Sequence, residues 1–160
     1  MLSVNIIAVG QLREKYFREA ADEYKKRLGG QGRVNEIEIK EEKLSDSPSE
    51  AQIAAALDRE ADRILEAIPK KSFVVPMCIE GKMMSSEDFA GTLDNAALMG
   101  KSSVTFIIGS SFGLSDRVKK ISDLKLSMSK MTFPHKLARV MLFEAVYRAS
   151  MILAGGKYHK

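Results

Sequence analysis

The chain has one cysteine, Cys78, and only two histidines, His135 and His159, in 160 residues. A lone cysteine forms no internal disulfide, which fits a reducing compartment. Two histidines and one cysteine far apart do not make metal-ligand spacing, so no metal is expected. Long hydrophobic runs are missing too: no stretch approaches the roughly 18 apolar residues that a spanning helix needs. The first apolar segment, Leu2–Ile7, has no basic leader and reads as a strand rather than a signal peptide. The expected location is therefore cytoplasmic, with no membrane partner. No Ser-His-Asp pattern, nucleophile elbow, repeat, low-complexity tract or domain linker is present.

What is there suffices for one domain spanning residues 1–160, with 45% hydrophobic content. The net charge is +4, but its distribution is uneven. Residues 1–80 hold 13 Lys and Arg against 15 Asp and Glu, whereas residues 81–160 hold 12 against 6. A basic half suits a phosphate backbone; it also serves solubility alone.

Hydrophobic periodicity predicts strands at Leu2–Gly10, Val34–Ile39, Ser72–Pro76, Val104–Ile108 and Leu124–Ser127. It predicts helices over Glu14–Leu28 and Ser49–Ile68, from Ser85-Ser86-Glu87-Asp88, from about Ser115, and from Pro134 to Leu153. Gly29-Gly30-Gln31-Gly32 breaks the first helix. Pro76 cannot donate to a ladder, so its strand should leave the sheet near Met77-Cys78-Ile79. Strands alternating with helices predict an α/β layer with a mostly parallel sheet. Ligands in such sheets sit beyond the carboxyl ends of the strands. Three notable loops lie there: Met77–Lys82, Gly109–Gly113 and Met128–Phe133.

Gly109-Ser110-Ser111-Phe112-Gly113 is neither a dinucleotide fingerprint nor a Walker A loop. It reads equally as a plain turn or as backbone approaching a ligand. In Met128–Phe133, Met131 and Phe133 can wall an adenine ring; the same residues can simply pack on the core. The final helix is apolar nearly all round, which predicts cover on both sides, the second by another subunit. On it, Arg139 and Arg148 need anionic partners: Glu144, a substrate or RNA phosphates. His135 reads as structural. Tyr158 and His159 follow a Gly155-Gly156 hinge, where a core has no use for them. An imidazole there can take a proton, or the end can simply fray.

These residues resemble a known family. Asn5–Gly10 with Lys15-Tyr16, Gly81-Lys82 with Ser85-Ser86-Glu87, Phe106–Gly109 with Gly113-Leu114-Ser115, Leu126–His135, Arg139-Val140, Glu144 with Tyr147-Arg148, and Tyr158-His159 are similar to the bacterial ribosomal RNA large subunit methyltransferases H, of the SPOUT class. The most specific stretch is Ser129-Lys130-Met131-Thr132-Phe133-Pro134-His135, and the likeness runs from the first strand to the last residue. It implies a trefoil-knotted parallel-sheet α/β domain, an obligate homodimer and S-adenosyl-L-methionine as cofactor. The implied reaction is methylation at N3 of a pseudouridine in helix 69 of 23S rRNA, in the assembled ribosome. By position, the resemblance implies cofactor contacts from Met77, Gly109, Met128, Ser129, Lys130, Met131, Thr132 and Phe133. Arg139, Arg148, Tyr158 and His159 are the implied catalytic or RNA-holding residues, with Lys130, Lys136, Arg139 and Arg148 as the attracting basic surface. Ser110 stands where the family usually has a second glycine, and Cys78 where an acidic residue is common. Another RNA position, or a ribosome-binding factor without catalysis, are the alternatives.

Overall fold

A computed structural model describes residues 2–29 and 33–160; the predicted break at Gly30–Gly32 lies outside them. Four parallel strands form one sheet: β1 (Ser3–Val9), β2 (Val34–Ile39), β3 (Ser72–Lys82) and β4 (Ser103–Ile108), in the order β2-β1-β4-β3. Five helices pack on it: α1 (Lys15–Leu28), α2 (Glu50–Ala67), α3 (Ser86–Leu98), α4 (Asp116–Lys120) and α5 (His135–Leu153).

The two-residue period of the strands sorts them into layers. Val4, Ile6 and Ala8 of β1 join Val104, Phe106 and Ile108 of β4 in a core with α1, α3 and α5. Ile7, Val9 and Ile107 face the other way, onto α2 and α4. Apolar side chains of β1 and β4 on both faces are buried, as expected of strands between two helical layers. A polar row crosses all four strands, buried at Asn5, Thr105 and Ser72 and exposed at its Asn35 end: Asn35 donates to Asn5 at 3.0 Å, Asn5 to Thr105 at 3.3 Å, and the Ser72 and Thr105 hydroxyls lie 2.6 Å apart. Each member has a partner, which makes such a row affordable inside a core.

The helix starts follow their capping residues. Ser49 and Gln52 form a reciprocal capping box at α2. Ser85 accepts from the Asp88 N–H at 3.0 Å at α3.

The strand boundaries need correction. Pairing of β3 with β4 does end at Pro76, as predicted, but the strand itself runs on to Lys82. Its extension has a new neighbour. Leu126 makes parallel bridges to both Met77 and Lys82, and the Ser127 N–H donates to the Lys82 carbonyl at 3.0 Å. A Cβ on Gly81 would sit 2.5 Å from Leu126 backbone, so glycine is what permits this approach. The predicted strand Leu124–Ser127 accordingly shrinks to bridges at Leu126, because its partner is a bent arm rather than a straight edge.

Helix α5 packs between α1 and α3 through its own Leu142, Phe143, Val146 and Ala149, which covers one side within the chain. Val140, Met141, Ala145 and Ile152 on its other faces remain half-buried.

Candidate active site

The three strand-end loops meet. The extension of β3, the loop after β4 and the segment before α5 enclose a cavity of about 690 Å³. Met77, Gly109, Met128, Ser129, Met131, Thr132 and Phe133 all line it; Lys130 does not, and is exposed. Ile79 and Phe112, inside two of the three strand-end loops, join the lining, and so does His135, which the sequence presents as structural.

Local chemistry shapes each wall. A Cβ on Gly109 would fall 2.2 Å from the Gly113 carbonyl oxygen, so this glycine serves a tight backbone approach within its loop. Gly113 has φ +87° and donates its N–H to the Ser110 carbonyl at 2.9 Å. Ser110 itself has no left-handed φ, so a serine is accommodated there without strain. On the facing wall the Ser129 hydroxyl accepts from the Met131 N–H at 3.0 Å, and its carbonyl accepts from the Ser127 hydroxyl at 2.9 Å. These bonds fold Met128–Met131 back on itself and turn Lys130 outward.

The lining carries no uncompensated positive charge. Burial pushes the His135 imidazole below its usual range, so it is neutral at physiological pH. Lys119 is paired with Glu80, whose carboxyl is held below its usual range first by that hydrogen bond. Burial pushes the Cys78 thiol up, so it stays protonated and unreactive.

The four residues expected to act on the substrate divide into two groups. Arg139 is buried, with 1% of its side chain exposed. Its guanidinium donates to Glu38 at 2.8 Å and to the Gly10 carbonyl at 2.9 Å, joining α5 to the ends of β1 and β2. Arg148, Tyr158 and His159 instead gather at the far end of α5. Arg148 pairs with Glu144; the Tyr158 hydroxyl donates to Glu144 at 3.2 Å; the Arg148 guanidinium lies 4.7 Å from the Tyr158 ring centroid. His159 reaches Glu87 at the start of α3, with Nε2 2.8 Å from its carboxylate. The tail is thus folded onto its own chain, and no residue beyond Ala138 lines the large cavity. Desolvation pushes the Tyr158 phenol up to about 12, so it keeps its proton at neutral pH.

The expected basic surface is mostly paired: Lys136 with Glu14, Arg139 with Glu38, Arg148 with Glu144. Of these four, Lys130 alone has no carboxylate partner among the described residues. No group of three or more metal-binding side chains occurs among the described residues, and no helix there is long and apolar enough to cross a membrane.

The family model described as predicted SPOUT methyltransferase matches residues 2–159. The chain belongs to the SPOUT methyltransferases. Among the relatives of this SPOUT chain, the ribosomal RNA large subunit methyltransferase H of Clostridium botulinum (strain Langeland / NCTC 10281 / Type F) is 45% identical over 99% of the chain and 100% of its own length. The protein of the same name from Streptococcus thermophilus (strain CNRZ 1066) is 46% identical over the same shares. A solved structure, a probable methyltransferase from Bordetella pertussis Tohama I, superposes with a TM-score of 0.59 at 12% identity, covering 93% of this chain and 95% of that one. That likeness supports the fold. The sequence likeness reaches the last residues, so the tail belongs to what the SPOUT chain shares with its relatives.

Proposed function

We propose that this chain transfers a methyl group from S-adenosyl-L-methionine to N3 of a pseudouridine in helix 69 of 23S rRNA, in the assembled ribosome. The observation that carries the reading is a 690 Å³ cavity at the strand ends of a chain that aligns end to end with proteins named for rRNA methylation.

The cavity fits the cofactor. Met77, Met128, Met131 and Phe133 offer apolar walls to a purine, and Ser129 and Thr132 add hydroxyls near its polar groups. Walls without free positive charge suit a cationic ligand. When bound, S-adenosylmethionine supplies a methyl group on positively charged sulfur. Threading of the Leu126 segment past the Met77–Lys82 arm is the proposed site of the trefoil knot.

The nucleophile is an imide nitrogen that keeps its proton at neutral pH, so the proton must leave as the N–C bond forms. His159 accepts it in this reading; Tyr158, with its raised pKa, donates a hydrogen bond instead. Lys130 and Arg148 hold phosphates. Because the tail does not reach its own cavity, it completes the site of a second subunit. The half-covered face of α5 is the dimer surface in this proposal. The setting is the cytoplasm.

The test is labelled S-adenosylmethionine with ribosomes from a strain lacking this gene, followed by mapping of the label. Methyl on the helix 69 pseudouridine is expected. Methyl at another RNA position would change the substrate, and neither methyl transfer nor cofactor binding would leave a ribosome-binding factor.

A further inference from the structure

Glu87 belongs to the helix start Ser85-Ser86-Glu87-Asp88, and the Ser85 cap serves that start without it. Its carboxylate does something else: it receives the tail. Glu87, His159, Arg148 and Glu144 form a continuous polar chain from the first turn of α3 to α5. Arg148 approaches the His159 Nδ1 at 3.3 Å, and a guanidinium can only donate. Nδ1 is therefore the acceptor nitrogen. Nε2 carries the hydrogen and donates it to Glu87 at 2.8 Å. Both nitrogens are engaged, so His159 as it stands has no free site for a proton.

We propose that Glu87 is a positioning residue for His159: it fixes the Nε2–H tautomer and so makes Nδ1 the basic nitrogen, which Arg148 covers until an RNA phosphate draws the guanidinium away. The inference rests on the proposed reaction. The logic is that of any carboxylate that orients an imidazole from behind. A competing acceptor for Arg148 is already in place, because Glu144 holds the same guanidinium in a partly exposed pair. A phosphate oxygen offers the same charge-assisted bond. The Tyr158 ring, stacked on Arg148 and edge-on to Tyr147, keeps the tail in register while the guanidinium turns. An exposed ion pair alone would hold a terminus weakly, so these aromatic contacts are what make the Glu87 contact persistent.

The test combines nitrogen-15 NMR of the imidazoles with single-turnover methyl transfer. With only two histidines, a His135→Gln variant assigns the signals. In the free wild-type protein His159 should show the Nε2–H tautomer. Glu87→Gln, which still accepts the bond, should keep it; Glu87→Ala should admit the other tautomer. Glu87→Ala should slow single turnover about 10- to 100-fold, with Glu87→Gln milder, while ribosome-bound cofactor is retained. In a His159→Ala background Glu87→Ala should add nothing. An equal loss in that background, or a tautomer indifferent to Glu87→Ala, would overturn the proposal. A wild-type protein that transfers no methyl overturns the reaction reading instead, whatever the NMR shows.

Discussion

Arg139 and Arg148 lie on the same helix, and each meets a glutamate, yet they do opposite things. Arg139 is sealed, with 1% of its side chain exposed, and its partner Glu38 lies 101 positions away in sequence. It also serves the Gly10 carbonyl at the end of β1, so it holds α5 against the sheet ends that frame the site. Its Nε finds no partner among the described residues, a cost offset by the other two bonds. Arg148 is 28% exposed, its partner is one helical turn back, and its remaining contacts are all to the tail. Charge of the same sign on one helix is thus sealed in a long-range pair where water is excluded and held in a local, partly exposed pair where it is not.

Breaking the buried member should have the largest effect. Arg139→Ala leaves the Gly10 carbonyl unpaired and a cavity beside Glu38, and should lower unfolding free energy by about 2–4 kcal/mol in urea titration. Arg148→Ala should leave the unfolding midpoint nearly unchanged but slow single-turnover methyl transfer about 10- to 100-fold. If Arg148→Ala cost as much stability as Arg139→Ala, the contrast would fail. Glu38→Gln sharpens it: the amide still accepts from Arg139 but loses the charge, and Glu38 is 40% exposed, so a loss of about 1 kcal/mol is expected in the same titration.

Smaller effects come from pH. The Tyr158 phenol is raised to about 12, so its contribution to tail docking is complete below the ordinary tyrosine range and is lost as pH rises through about 12. Ultraviolet titration of the four tyrosines should show one late component that Tyr158→Phe removes. Glu87 moves the other way: the His159 hydrogen bond holds its carboxyl below the usual range. Its contribution is present above the ordinary glutamate range and is lost as pH falls through the lowered value. A fall in the tail's hydrogen-exchange protection, measured against the intrinsic rate, as pH drops through the lowered Glu87 range and absent in Glu87→Gln, is the expected sign.

The sequence reached the sheet, the layers and the meeting of three loops because these depend on local periodicity and on where strands end. Ser49 and Ser85 announced their helices through side chains that bond three residues ahead. Glu144 was a legible partner for Arg148 because the two stand four apart on one helix. The Glu38 partner of Arg139 was out of reach, because nothing local links a helix residue to a strand 101 positions away. Leu126 pairs at a single residue against a bent arm, which leaves no alternating pattern. Lys130 sits inside the most telling stretch, yet the Ser129 turn points it away from the cavity. Glu87 was hidden by an adequate alternative role in its own helix.

The measurement that tests the account most directly separates the cavity from the tail. Wild-type protein and a chain ending at Ala154 would be bound to unmethylated ribosomes, and retention of labelled S-adenosylmethionine measured beside single-turnover transfer. The account predicts that the shortened chain retains cofactor and transfers almost no methyl. Loss of cofactor together with transfer, or transfer at the wild-type rate, would contradict the division of labour between cavity and tail.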